Sequence, residues 1–315
     1  MFWARWGHDF RPDYKFLNVL RRQFPKTPIL GLTATATGHI VEDVKEMLGI
    51  PAALVFRSGF NRTNLRLPSP QIGDNHEEKP IAEKAGLVRE LAELAKGRFS
   101  GQSGIVYVLT RKEAEETTAS LQAAGVKAGC YHADLEARDR SNVHEQWLAN
   151  RLQVVVATVA FGMGIDKPDV RWVAHACMAK SIENYYQESG RAGRDGQAAD
   201  CILYFRLGDL FRLSTMVVTE RTGLEKLYPM AAYGLATDCR RTLLAQHFEE
   251  PWESDWCQVL PFRLSTMVVT ERTGLEKLYP MAAYGLATDC RRTLLAQHFE
   301  EPWEFDWCQV LPFRL

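Results

Sequence analysis

The chain has 315 residues, long enough for two domains, and 46% of them are hydrophobic, ample for a packed interior. Its 38 basic residues are matched by 39 acidic ones, which excludes a globally basic polyanion binder and leaves only a local charged surface for such a partner. Seven cysteines lie scattered without close pairs, no apolar run reaches about 18 residues, and MFWARWGHDF has no apolar leader core, so a reducing cytosolic or nuclear setting and no membrane partner are expected.

In chain order the pattern predicts a strand at 28–32, a polar turn TATAT at 33–37, and an amphipathic helix from about 39 to 48. Gly49 suits the left-handed position that closes such a helix. The Pro, Gly and acid-rich stretch LPSPQIGDNHEE, from Leu67, reads as a linker. From residue 80 a regular alternation sets in: a helix to about 96, a strand at 104–109, and a helix opened by the capping box Thr110-Arg-Lys-Glu113 and closed by Gly125. It continues with a strand at 126–131, a helix at 137–148, a strand from Val154, a strand at 171–175, a helix at about 182–191 and a strand at 200–205. Strands alternating with helices of this length predict an α/β fold with a parallel sheet covered on both faces.

After Phe205 the strand signals stop, and the remainder reads as amphipathic helix. Residues 211–261 recur at 262–312 with one difference, Ser254 against Phe305, and a third copy starts at Phe313. Natural repeat arrays diverge and carry capping units, so near identity points to a very recent duplication or an assembly error.

The densest chemistry lies in YYQESGRAGRDG, residues 185–196. Arginine's planar fork matches phosphate oxygens, and the spacing of Arg191 and Arg194 puts both guanidiniums on one side of a helix or helical turn, as a phosphate clamp. Upstream, the apolar run at 154–158 leads into FGMGIDKPD, which reads as a buried strand ending in a glycine-rich loop with one carboxylate. Loops at the carboxyl ends of parallel strands are where open α/β sheets bind ligands. The bland reading is an ordinary strand-helix unit with a surface arginine pair.

WGHDFRPDY (6–14), LTATAT (32–37), FNRTNL (60–65), YHADL (131–135), ATVAFGMGIDKPDVR (157–171) and YYQESGRAGRDG resemble, in order and spacing, the RecQ family of DNA helicases. The resemblance extends through DCILYF to CRRTLLAQHF at 239–248, covers nearly all of the chain except the second repeat copy, and is nearest to the shorter vertebrate-type members. It implies two RecA-like lobes closing on ATP, a zinc-binding helical hairpin, and ATP-driven 3′→5′ movement on single-stranded or forked DNA in repair, recombination and replication, in the nucleus. The implied domains are a first-lobe remnant at 1–66, a linker at 67–79, a second RecA-like lobe at 80–208, a zinc-hairpin-like helical segment at 209–261 and its duplicate at 262–315.

Residue by residue, the resemblance implies that Gln187, Arg191 and Arg194 face the nucleotide, with Arg194 as the arginine finger, a role worth about 10³ to 10⁵ in rate or roughly 4 to 7 kcal/mol. Gly164 and Asp166 line the same cleft. Trp6, His8, Phe10 and Arg11 belong to an aromatic-rich loop for single-stranded DNA, and their composition suits it, because aromatic faces stack on bases while arginine takes a phosphate. The alternative for Trp6 and Phe10 is core packing. Thr33 and Thr35 would touch the DNA backbone, or form a mere polar turn; His132 would contact DNA, or be structural.

Neither G-x-x-x-x-G-K-[ST] nor DExH occurs in the 315 residues, so the phosphate cradle and the Mg²⁺ carboxylates of this family are missing and the chain alone is expected not to hydrolyse ATP. The zinc set is incomplete as well. Cys239 and Cys257 match the first two family ligands in order, whereas Gln258-Val259-Leu260-Pro261 stands where the other pair is expected, and structural Zn²⁺ wants four. Cys290 and Cys308 restore the number only through the duplicate. A non-catalytic DNA-binding or regulatory product is the competing reading; an RNA helicase is disfavoured by HDFRPDY and the CRR segment.

Overall fold

Three valines and an alanine in succession offer no polar face to water, and residues 154–157 lie inside a six-stranded parallel sheet with all four side chains buried. The computed structural model describes residues 16–33, 38–57, 59–67, 84–162, 165–220, 222–236 and 239–250. In chain order these form α1 (Asn18–Gln23), α2 (Gly38–Leu48), β1 (Leu65–Arg66), α3 (Lys84–Lys96), β2 (Ser103–Tyr107), α4 (Arg111–Ala123), β3 (Ala128–Tyr131), α5 (Ala137–Leu148), β4 (Val154–Ala157), β5 (Val170–His175), α6 (Ile182–Ser189), β6 (Ala199–Leu203), α7 (Leu207–Val217), α8 (Gly223–Leu235) and α9 (Arg240–His247). Among them no helix is long and apolar enough to cross a membrane.

The sheet order is β1-β6-β5-β2-β4-β3, every neighbour parallel. Period-two alternation divides each central strand between two cores. Val106, Val154, Val156, Trp172 and Ala174 face the apolar sides of α3 and α4, while Ile105, Tyr107, Val155, Ala157 and Val173 face Trp147 and Phe161. A third core joins α6, Leu203 and Phe205 to Leu213, Leu227, Met230, Leu244 and Phe248 of the last three helices. From β2 the chain passes to the edge strand β3, returns to lay β4 between β3 and β2, then crosses β2 to build β5 and β6 on the other side. That reversal places the connection 158–169 at the sheet's switch point, where α/β folds bind ligands.

The local signals read well where they were short-range. Thr110 and Glu113 form the capping box in both directions, and Gly49 has φ +67°. The strand expected at 28–32 is absent: those residues are irregular, with Leu30 and Leu32 exposed, and no described strand runs alongside to take their hydrogen bonds. β1 escaped the sequence reading, since two residues are too few to show a period, yet Leu65 pairs with Ala199 and Arg66 with Asp200. The FNRTNL segment thus ends in the sheet's edge. The duplicate at 262–312 lies outside the described residues.

α6 and α9 also meet at a polar side-chain pair, with His247 Nε2 3.3 Å from Glu183 Oε1. Burial pushes the Glu183 carboxyl up, but hydrogen bonds from His247 and the helix backbone outweigh it and hold it at about 2. A folded-state value below the ordinary 4.5 stabilises the fold above about pH 4.5, and that stabilisation is lost as pH falls toward 2. Glu183→Gln should therefore lower the urea midpoint at pH 6 and leave a much smaller gap at pH 3. A gap that widens in acid would show that the pair does not stabilise the folded state.

Candidate functional site

α6 starts at Ser181, whose hydroxyl accepts the Asn184 amide at 3.1 Å, and stops at Gly190. Both arginines therefore lie just past the helix, in a turn pinned to the start of β5: the Gly193 amide donates to Val170 O at 2.9 Å and the Asp195 amide to Pro168 O at 3.2 Å. Gly193 has φ +57°, and a Cβ there would sit 2.5 Å from Asn64 Nδ2 and 2.7 Å from Gln197 O, so the turn requires glycine.

From this turn the two guanidiniums reach the same loop. Arg191 Nη1 donates to Gly162 O at 2.5 Å; Arg194 Nη1 donates to Ile165 O at 2.8 Å and to Asp166 Oδ1 at 3.2 Å. Donors three apart meet acceptors three apart, which fixes the register of turn on loop. The Tyr107 hydroxyl, at the end of β2, adds a hydrogen bond to Phe161 O at 2.9 Å, and burial pushes its phenol far above the ordinary tyrosine range. Arg191 is 6% exposed, whereas the Arg194 side chain is 38% exposed. The first anchors the loop and the second presents a guanidinium to solvent beside it.

Further residues stiffen the arrangement. Lys167, buried under the Trp147 ring, donates to Asn150 Oδ1 at 2.8 Å and pairs with Asp169 at 2.9 Å, tying the loop to the end of α5. Arg171 donates to Asp195 Oδ1 at 2.6 Å, and that hydrogen bond holds the Asp195 carboxyl below its ordinary range. Arg62 Nη2 donates to Gly193 O at 2.8 Å and Ala192 O at 3.2 Å, and Asn64 Nδ2 donates to Gly193 O at 2.8 Å and Gln197 O at 2.9 Å. Sequence reasoning quoted FNRTNL as a motif but gave Arg62 and Asn64 no part in the site. The available signal was a pair of strong donors beside an apolar strand start.

The other expected residues are distributed as follows. Gln187 is exposed on α6 and Asp166 is exposed on the loop. Thr33 is exposed. His132 is buried, and its Nε2 lies 3.2 Å from Glu115 Oε1, so its ring is not presented to a strand of nucleic acid in this arrangement. Cys239 stands at the N-terminus of α9. Trp6, His8, Phe10, Arg11, Thr35, Gly164 and Cys257 lie outside the described residues. Among the described residues no group of three or more His, Cys, Asp or Glu side chains is placed to hold a metal ion.

Comparison with known proteins fits this geometry. Residues 85–196 match the family model "Helicase conserved C-terminal domain". The chain is 56% identical over 256 residues to a putative ATP-dependent DNA helicase Q1 of Caenorhabditis elegans, covering 81% of this chain and 39% of that one. It is 41% identical over 265 residues to the RecQ-like DNA helicase blm-1 of the same organism, covering 81% and 26%. The chain thus spans about two fifths of the length of the first relatives it matches. The solved structure of Saccharomyces cerevisiae Dbp5 bound to RNA and ADP BeF3 superposes with a TM-score of 0.50 at 18% identity, covering 84% of this chain and 57% of that one, which speaks to the fold alone. A RecA-like parallel sheet, the matched C-terminal helicase domain and the identity to these relatives place the chain in the RecQ family of helicases.

Proposed function

We propose that this chain supplies the second-lobe half of an ATP-driven 3′→5′ DNA translocase, with Arg194 as the group that meets the nucleotide phosphates and Arg191 as the anchor that holds its loop. The observation that carries the reading is the half-exposed Arg194 guanidinium, fixed on Ile165 O and Asp166 at the sheet's switch point. An arginine so held loses little freedom when a phosphate arrives, and positioning with charge stabilisation is most of what phosphoryl transfer asks of a protein. ATP would bring its own Mg²⁺. On this reading Gln187 and Gly164 border the same cleft, residues 80–208 form the lobe, 209–261 the hairpin-like segment, and the stretch 6–14 with Thr33 and Thr35 faces single-stranded or forked DNA. Nuclear residence and a part in repair and recombination go with it.

The 315 residues hold no GxxxxGK[ST] segment, and this favours one other reading, a DNA-binding or regulatory product without turnover. Both readings expect phosphate-dominated binding. The purified chain should bind single-stranded DNA with an affinity that falls steeply between about 50 and 200 mM salt, because each phosphate contact releases counterions. It should consume no ATP until a lobe carrying the phosphate cradle is supplied. Brisk ATP hydrolysis by the chain alone, or DNA affinity indifferent to salt, would overturn the assignment.

A further inference from the structure

The helix after the sheet grips the arginine turn through residues remote in sequence from it. Arg241 of α9 donates through Nη1 to Asn61 Oδ1 and to Arg62 O at 3.3 Å, and through Nη2 to Leu65 O at 2.8 Å and Thr63 O at 3.4 Å. Glu250, just beyond α9, accepts the Phe60 amide on its two oxygens at 2.9 and 3.0 Å, and the Phe60 ring stacks on Phe248 at 4.2 Å. The segment 60–65 is therefore held at both ends by α9 and its flank. That same segment carries Arg62 and Asn64, whose donors hold the carbonyls of Ala192, Gly193 and Gln197, and the turn so held aims Arg191 and Arg194 at the loop 162–166.

Hydrogen bonds and the Phe60–Phe248 stack together set this junction. A cavity of about 30 Å³, room for one or two waters, remains between residues 60–67, α6 and α9. Arginine suits the task because its planar fork reaches several carbonyls at once, which an ammonium cannot. The α9 flank also reaches the other side of the TATAT stretch, where Glu249 accepts the Gly38 amide at the start of α2 at 3.0 Å.

We propose that Arg241 and Asn64 are positioning residues, through which α9 sets where Arg191 and Arg194 stand. The functional meaning of this rests on the proposed nucleotide role of Arg194, but its test does not. Amide hydrogen exchange on the full chain would be compared for Arg241→Gln, for the near-isosteric Asn64→Asp, which replaces the donor by a carboxylate oxygen facing two carbonyls, and for Leu244→Ala, which loosens α9 packing while removing none of these hydrogen-bonding groups. Arg241→Gln should speed exchange of the Gly193, Asp195 and Gly196 amides, and of Leu65 and Ala199, by about tenfold or more, roughly one hydrogen bond's worth of protection. Asn64→Asp should do so at 193–196, with amides of β2 and β4 unchanged in both. Unchanged exchange at 193–196 in Arg241→Gln, or an equal rise throughout the sheet that Leu244→Ala reproduces, would overturn the proposal. Failure of the wild-type chain to bind ATP beside a cradle lobe would sink the nucleotide role and leave the exchange result standing.

Discussion

Gly104→Ala should cost about 3 kcal/mol of stability, at the upper end of what overpacking a core costs. A Cβ at this position would lie 2.1 Å from Trp172 Cε2, 2.4 Å from Nε1 and 2.5 Å from Cζ2. The indole cannot step aside: it is fully buried on the neighbouring strand, directly across from Gly104, and stacked on Phe99 at 5.3 Å and 15°. The substitution must therefore push β2 from β5 at the centre of the sheet, where a domain's total stability is itself only about 5 to 15 kcal/mol. Denaturant titration followed by tryptophan fluorescence measures it. The same change introduced beside Trp172→Leu should cost under about 1 kcal/mol, since the clash is gone; equal costs in both backgrounds would mean that the indole is not the obstacle.

The two arginines should separate stability from chemistry. Arg191→Ala removes a buried donor from Gly162 O and should lower stability by about 2 to 3 kcal/mol, the range for a charge-assisted hydrogen bond whose acceptor is left behind. Arg194→Ala cuts an exposed pair with Asp166 and should change stability by less than about 1 kcal/mol. In an ATP-hydrolysing assembly with a cradle lobe the order reverses for rate: Arg194→Ala should lower turnover by about 10³-fold or more if it is the finger. Melting curves and single-turnover ATP cleavage on the same samples check both halves. A turnover loss of only a few fold for Arg194→Ala would assign the finger elsewhere.

How much of this was legible in the sequence depended on range. Thr110 with Glu113, Gly49 and the valines of β4 are local signals, each decided within a few residues, and the structure bears them out. That Arg191 and Arg194 lie together in one helical turn was legible, but not where they reach, because nothing near either announces that their partners are carbonyls at 162 and 165. Arg62, Asn64 and Arg241 were missed for the same reason: their partners lie some 130 to 180 residues away, and a donor aimed at distant main chain leaves no periodicity. The apolar run at 28–32 misled in the opposite direction, since such a run forms a strand only if another strand stands beside it, and none does among the described residues.

The loop 162–166 already occupies the cationic groups that an incoming anion would want. Any phosphate that claims Arg194 does so in competition with Ile165 O and Asp166, so ligand arrival and loosening of that crossover are two sides of one equilibrium. By reciprocity, whatever tightens the crossover would weaken an anion's hold, and the buried Arg191 would keep the loop tethered through Gly162 O.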